Sequence, residues 1–392
     1  MAREGRLYQK IADVIRQEIA AGDYDIQFPS EKELCERFQV GVGTIKTALA
    51  LLTREGQIIR IPGKGTFVQN ANLRAMLAES RDTEDGGLIG VILPKIQGPL
   101  FTHLLTAIIF TAERHNFRVI LGISDGESTK ESRVIQDLVE RGARGLLIWP
   151  VDGEQYNETL LRYHFDGFPL VLVDRWLPGI DIPCVRTSHE MGAAQAMDEL
   201  VRLGHQHIAF LSVGSENPAH TQSIQERLKG YQRACIEHGM PIDPKLIWIR
   251  PRRVAEDMAV HVNWIAEQWQ ANPHVTAALA VETYDLECIR QYAMASGRRI
   301  PDDLSVIGFD GGELVADRMA GIVSYFGSQD WTWIDQNAAQ IGETATSALI
   351  ETIQHGKNSE AVIIPTHLRR GHSTGPRPAS EQWASESVGL NP

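Results

Sequence analysis

The stretch Phe28-Pro29-Ser30-Glu31-Lys32-Glu33-Leu34 decides how the first part of this 392-residue chain folds. Ser30 and Glu33 stand at the spacing of a capping box, in which each side chain satisfies a free N–H of the first turn, so a helix begins here. Upstream, Leu7, Ile11, Val14, Ile15 and Ile19 recur at helical spacing and predict an amphipathic helix ending near Gly22. Downstream, Val40-Gly41-Val42-Gly43 interrupts the pattern. A third helix then runs from about Thr44 to Glu55, stopped by Gly56. Ile58-Ile59-Arg60-Ile61 and Thr66-Phe67-Val68 read as two strands around the turn Pro62-Gly63-Lys64-Gly65.

Three helices followed by a hairpin make a winged helix-turn-helix, placed over residues 1–70. Residues 71–86 are polar, run into the pair Gly86-Gly87, and read as a linker. Beyond it, apolar strands alternate with amphipathic helices. The strands include Leu88–Leu93, Arg118–Ile123, Gly145–Trp149, Leu170–Val173, Ile208–Leu211, Ala277–Val281 and Ser305–Phe309, with helical patterns such as Phe101–His115, Glu131–Arg141, Met191–Leu203 and Glu226–His238 between them. Unbroken Val/Ile/Leu strands joined by helices indicate parallel sheets buried on both faces. Residues 87–371 hold too much of this pattern for one sheet, so two α/β lobes are expected. The fold class is therefore multi-domain: an α+β winged helix-turn-helix followed by a two-lobed α/β domain. Residues 372–392, rich in Ser, Pro, Gly and Glu, are expected to be a disordered tail.

The composition is that of a globular protein, 43% hydrophobic and 22% charged. No apolar run approaches the roughly 20 residues of a membrane helix, and the start Met1-Ala2-Arg3-Glu4-Gly5-Arg6 leads into an amphipathic pattern rather than a signal-peptide core. A cytoplasmic location away from membranes is expected. Cys35, Cys184, Cys235 and Cys288 are scattered without CxxC spacing, which argues against a disulfide framework or a zinc cluster. The histidines, His205 and His261 among them, show no metal-binding spacing. With no pyridoxal-lysine context, G-x-S-x-G elbow or Walker loop, no cofactor and no catalytic residue are expected, and the chain is read as a non-enzyme.

Charge needs division before it is informative. The whole chain carries 38 Lys+Arg against 50 Asp+Glu, a net of −12, which taken alone argues against a nucleic-acid partner. Residues 1–75 hold 11 Lys+Arg and 9 Asp+Glu, a net of +2, so the remainder (27 against 41) stands at −14. Only the first domain is suited to approach phosphate.

The blocks Phe28–Leu34, Thr44-Ile45-Lys46-Thr47-Ala48-Leu49, Glu55-Gly56 and Gly63-Lys64-Gly65-Thr66-Phe67-Val68, in this order over residues 7–68, resemble the GntR-type DNA-binding domain. The resemblance implies that the third helix enters a major groove and the wing a minor groove. Lys32, Thr44, Lys46, Thr47, Gly63, Lys64, Gly65 and Thr66 are the implied DNA-binding residues. Family members usually open the recognition helix with Ser-Arg, whereas Gly41-Val42-Gly43 stands here. Val42 cannot make the bidentate hydrogen bonds that identify guanine, so phosphate, wing and thymine-methyl contacts are expected to carry more of the binding.

Residues 87–371 resemble the LacI/GalR effector domain, which shares its type I fold with periplasmic binding proteins. The resemblance rests on Leu172-Val173-Asp174-Arg175, Leu203-Gly204-His205-Gln206-His207-Ile208-Ala209, Arg227-Leu228-Lys229-Gly230-Tyr231 and Ile300–Asp310. The combination is similar to arabinose-responsive repressors of the same mixed architecture. It implies a small molecule between the lobes at the carboxyl ends of the strands. A sugar needs carboxylates for its hydroxyls, an Arg fork and an aromatic face. Asp310 and Arg227 match the family's ligand positions. Glu282 stands where relatives often carry Asn of an Asn-Asp pair. Phe101, Asp125 and Arg175 follow strand ends and complete the expected effector set. Trp331 and Trp333 fall in an expected lobe-crossing segment.

These readings converge on a regulator, most simply a repressor. Its dimeric heads would bind a roughly palindromic operator, and its operator affinity would respond to a monosaccharide. An activator, or an enzyme carrying a regulatory head, is the alternative.

Overall fold

A computed structural model describes residues 4–21, 24, 27–55, 57–61, 65–68, 86–96, 98–151, 156–213, 218–219, 221–251, 257–310, 331–356 and 360–378. The expected linker up to residue 85, Gly63 and Lys64 of the wing turn, and residues 379–392 lie outside these.

The head consists of α1 (Glu4–Ala21), β1 (Gln27–Phe28), α2 (Glu31–Phe38), α3 (Val42–Arg54), β2 (Ile58–Ile61) and β3 (Gly65–Val68). The capping box starts α2: the Ser30 N–H donates to Glu33 Oε2 at 2.8 Å, and the Glu33 N–H to Ser30 Oγ at 3.3 Å. Ile11, Ile15, Leu34, Ile45, Leu49 and Leu52 bring the three helices onto one core. Two details differ from the expectation. α3 starts at Val42 with Gly41 as its cap, because a first turn whose N–H groups lack helical partners anyway tolerates Gly43. The wing is also three-stranded, ordered β1-β3-β2. β1 is only two residues long, too short to show alternation, and Phe28 belongs to it.

The body runs β4 (Leu88–Leu93), α4 (Pro99–Arg114), β5 (Arg118–Ile123), α5 (Ser128–Glu140), β6 (Ala143–Ile148), α6 (Glu158–Phe165), β7 (Leu170–Val173), β8 (Cys184–Thr187), α7 (His189–Arg202), β9 (Ile208–Ser212), α8 (Gln222–Glu237), β10 (Ile247–Ile249), α9 (Met258–Ala271), β11 (Ala277–Ala280), α10 (Thr283–Ser296), β12 (Ser305–Phe309), β13 (Thr332–Asp335), α11 (Ala338–His355), β14 (Val362–Ile364) and β15 (His367–Arg369). The first lobe is the parallel sheet β14-β8-β7-β6-β4-β5. The second is β10-β9-β11-β12-β13-β15, parallel except for β15. β7, β9, β11 and β12 are buried along their whole length, as strands covered on both faces must be.

Among the described residues the chain crosses between lobes at Ser188, at Gln336-Asn337 and at Pro365-Thr366. Trp331 is buried in the second lobe's core just before β13 and Trp333 lies within that strand, so both tryptophans precede the crossing. The structure also corrects the tail: residues 372–378 pack on the second lobe. Ser373 is fully buried, and the Val306 N–H donates to its carbonyl at 2.8 Å. Polar composition suggested disorder, yet small polar residues are what can satisfy the backbone at the amino ends of parallel strands. His205 belongs to this arrangement, with Nε2 at 3.1 Å from the Gly375 carbonyl and Nδ1 at 2.9 Å from Thr276 Oγ1.

Candidate effector cleft and DNA-binding head

On the head, Lys32 and Lys46 are exposed, while Thr44 and Thr66 are partly buried. Thr47 is exposed, and its Oγ1 donates to the Gly43 carbonyl one turn back at 2.9 Å. Gly65 opens β3 opposite Ile61. The Glu31 carboxylate, absent from the sequence-based set, pairs with Arg60 of β2 and lies 3.9 Å from Lys46 Nζ. It gathers two cations from different elements at the start of α2. Val42 is exposed at the first turn of α3 and offers only apolar surface there. Lys46→Ala is expected to weaken operator binding and reduce its salt slope by about one unit, as loss of a phosphate contact does. Operator titrations at several salt concentrations test it. Lost discrimination at one base pair with an unchanged slope would refute the phosphate role.

In the body, the strand ends set the geometry. Asp125, Asp174 and Asp310 each sit just past a strand and adopt left-handed backbone, with φ of 52°, 66° and 60°. Asp tolerates this conformation better than most residues because its short side chain bonds locally. The three fates differ. Asp125 is exposed and ion-paired with Lys130. Asp310 lines a cavity of about 280 Å³ between the lobes, together with Leu100 and His103 of the first lobe and Trp333, Asp335 and Gln336 of the second lobe and its crossing. Gln336 Nε2 donates to both Asp310 oxygens, at 2.8 and 2.7 Å. Burial pushes the Asp310 carboxyl up to about 6, against the opposing pull of Arg227 and Gln336.

Arg227 lies on α8 three residues before Gly230. That glycine is required: a Cβ there would collide with the Glu190 carbonyl in the first turn of α7. The close helix contact sets Arg227 beside His189. Its guanidinium donates to the Val281 carbonyl, approaches His189 Nδ1 at 3.2 Å and stacks on Phe309 at 3.9 Å from the ring centroid. Its Nε is buried without a protein partner. Glu282, partly buried, caps α10 and contributes negative potential at Arg227. Asp285 is not a free pocket acid, because it accepts the N–H groups of Val213 and Glu282 at 2.9 and 3.0 Å.

The first lobe supplies an aromatic wall. Phe101 is buried, with its ring centroid 4.9 Å from that of Trp149, which follows β6. Arg175 donates to the Pro150 carbonyl at 3.2 Å and lies 5.9 Å over Trp149. Glu131, from α5, is buried at the same strand end, where its Oε2 accepts the Val151 N–H at 2.8 Å. Burial pushes its carboxyl up to about 7, opposed by that hydrogen bond and by Arg175. Trp149 follows a strand end as Arg175 does, so the same positional rule applies to it. Glu131, His189 and Gln336 carry no comparable signal in the sequence.

Comparison with known proteins agrees with both halves of this geometry. The model of the bacterial regulatory proteins of the gntR family matches residues 7–68, and the periplasmic binding protein-like domain model matches residues 197–374. The chain joins a GntR-type helix-turn-helix head to a periplasmic-binding-protein-like domain. It is 28% identical over 297 residues to the arabinose metabolism transcriptional repressor of Geobacillus stearothermophilus, covering 73% of this chain and 76% of that one. The ribose operon repressor of Halalkalibacterium halodurans is 22% identical over 348 residues, 86% of this chain and 94% of its own. Among solved structures, a CelR–cellobiose complex aligns with a TM-score of 0.63 at 19% identity, over 86% of this chain and 92% of that one. A LacI family regulator from Enterococcus faecium with bound ribose aligns at 0.56 and 24% identity, over 74% and 99%. These structural likenesses establish the shared fold. Among the described residues, no helix is long and apolar enough to cross a membrane.

Proposed function

We propose that this protein is a transcriptional repressor whose operator affinity is set by a neutral monosaccharide held between the two lobes. The observation that carries the reading is a set of buried hydrogen-bonding atoms without protein partners: Glu131 Oε1 and Trp149 Nε1 in the first lobe, Arg227 Nε in the second, and Gln336 Oε1 at the crossing. Leaving such atoms unpaired costs about 1–3 kcal/mol each. Donors and acceptors mixed at the ends of two facing sheets match a molecule that itself carries many hydroxyls. Asp310 adds an acceptor for hydroxyl protons, while Trp333, which lines the cavity, supplies an apolar face. A sugar acid is disfavoured, because Glu282 and Asp310 would repel it. The arabinose and ribose repressors among the relatives agree with this class.

The heads bind a roughly palindromic operator as a homodimer in the cytoplasm, and the acidic body discourages contact with DNA elsewhere. Effector binding releases the operator, and no cofactor or catalytic step is involved. A thermal-shift screen of the purified chain against pentoses, hexoses and nucleosides tests the class. A sugar at a hundred times its Kd stabilises by roughly 2.7 kcal/mol. A shift with a nucleoside and with no sugar would overturn it. An effector that raises operator affinity would reverse the sign, and a bound chromophore in the absorbance spectrum would revive an enzymatic role.

A further inference from the structure

His189 opens α7 immediately after the Ser188 crossing and is 1% exposed. Its Nδ1 faces Arg227 Nη2 at 3.2 Å. A guanidinium has only donors, so Nδ1 must be the accepting nitrogen and carry no hydrogen. In a neutral ring the hydrogen then sits on Nε2, and Nε2 stands 3.5 Å from Asp174 Oδ1. Asp174 belongs to the first lobe, at the end of β7, where its N–H donates to the Val185 carbonyl at 2.9 Å. The imidazole therefore lies between a cation of one lobe and an anion of the other. Burial, with the positive charges of Arg227 and Arg186, holds its pKa below the ordinary value against the pull of Asp174.

We propose that His189 is a positioning residue of the effector cleft: Nδ1 fixes the second lobe's Arg227 while Nε2–H engages the first lobe's Asp174. Orienting the guanidinium and drawing the lobes together then become one event. A direct Arg227–Asp174 fork would take two N–H donors of the guanidinium. The interposed neutral ring takes one, and Arg227 keeps its Nε–H for the effector. At 3.5 Å Nε2 makes no hydrogen bond in the cleft as it stands, so the bond to Asp174 is one that lobe approach would form.

The inference rests on the reading that the cleft takes an effector, and the test separates the two. In the full chain with ¹⁵N-labelled histidine, assigned by comparison with His189→Gln, the His189 ring should be neutral with its hydrogen on Nε2 at pH 7. An imidazolium, or a hydrogen on Nδ1, overturns the proposal. In titrations with L-arabinose and D-ribose, His189→Phe and Asp174→Ala should each weaken binding at least tenfold, and the double variant no further. His189→Gln, which offers one acceptor and one donor, should recover most of the loss. Losses that multiply in the double variant, or no recovery with Gln, would also overturn it. If neither sugar binds the native chain, the effector class fails and the tautomer alone decides the relay.

Discussion

Ending the chain after Gly371 lowers the melting temperature of the body by more than Ser373→Ala does, and that substitution alone lowers it by roughly 2–12 °C. The reason lies at the amino ends of β12 and β13, where neighbouring strands leave backbone groups unpaired. The Ser373 carbonyl accepts the Val306 N–H, its hydroxyl donates to the Val306 carbonyl at 2.6 Å, and its Oγ accepts the Thr332 N–H at 2.8 Å. Gly375 exchanges hydrogen bonds with the Ser305 hydroxyl, and the Arg377 N–H donates to the Leu203 carbonyl at 2.9 Å. A buried group left without its partner costs about 1–3 kcal/mol. In a lobe of this size each kcal/mol moves the melting point by roughly 2–4 °C. The Ala substitution orphans the Thr332 N–H, and truncation orphans the Val306 N–H as well. Differential scanning calorimetry of the three proteins checks the order. A truncated chain melting with the native one would remove residues 372–378 from the stabilising contacts.

Residues 372–378 also show where sequence reading stops. Runs such as Leu88–Leu93 and Ser305–Phe309 are legible because burial on both faces leaves an unbroken apolar record. The capping box at Ser30 and Glu33 is legible because both partners lie within one turn. β14 and β15 are only three residues long, and β15 alternates exposed with partly buried positions, so neither leaves such a record. Ser373 looks like tail composition because its value comes from strands that lie distant in the chain. The cleft divides the same way. Arg227, three residues before Gly230, and Asp310, at a strand end, are expected there because they match the ligand positions of the family the body resembles. Phe101 follows a strand as well, yet it is buried in contact with Trp149, and no local pattern announces that packing. Asp125 satisfies the same positional rule as Asp310, but Lys130 lies within reach on the following helix and β5 is at the sheet edge.

Asp310→Asn should make the protein more stable near pH 7 and weaken its hold on a sugar. The native carboxyl is pushed up to about 6 by burial, from an ordinary value of 3.8. Between those two values the folded state keeps a proton that the unfolded chain has lost. Stability therefore falls as pH rises from about 4 to 6, and the full penalty is present above pH 6. It amounts to something on the order of 2–3 kcal/mol. An Asn carries no charge and escapes the penalty, and its amide can donate to Gln336 Oε1, which has no protein partner. The variant should thus melt above the native protein at pH 7.5 and together with it at pH 4. Binding moves in the opposite direction. An ionised acceptor for a sugar hydroxyl is worth about 1.5–3 kcal/mol against 0.5–1.5 for a neutral one, so affinity should drop roughly tenfold. Calorimetric melts at the two pH values, with sugar titrations at pH 7.5, measure both effects on one pair of proteins. A variant less stable at pH 7.5 would show that the charge is compensated in the free cleft. Unchanged sugar affinity would remove Asp310 from the effector contacts.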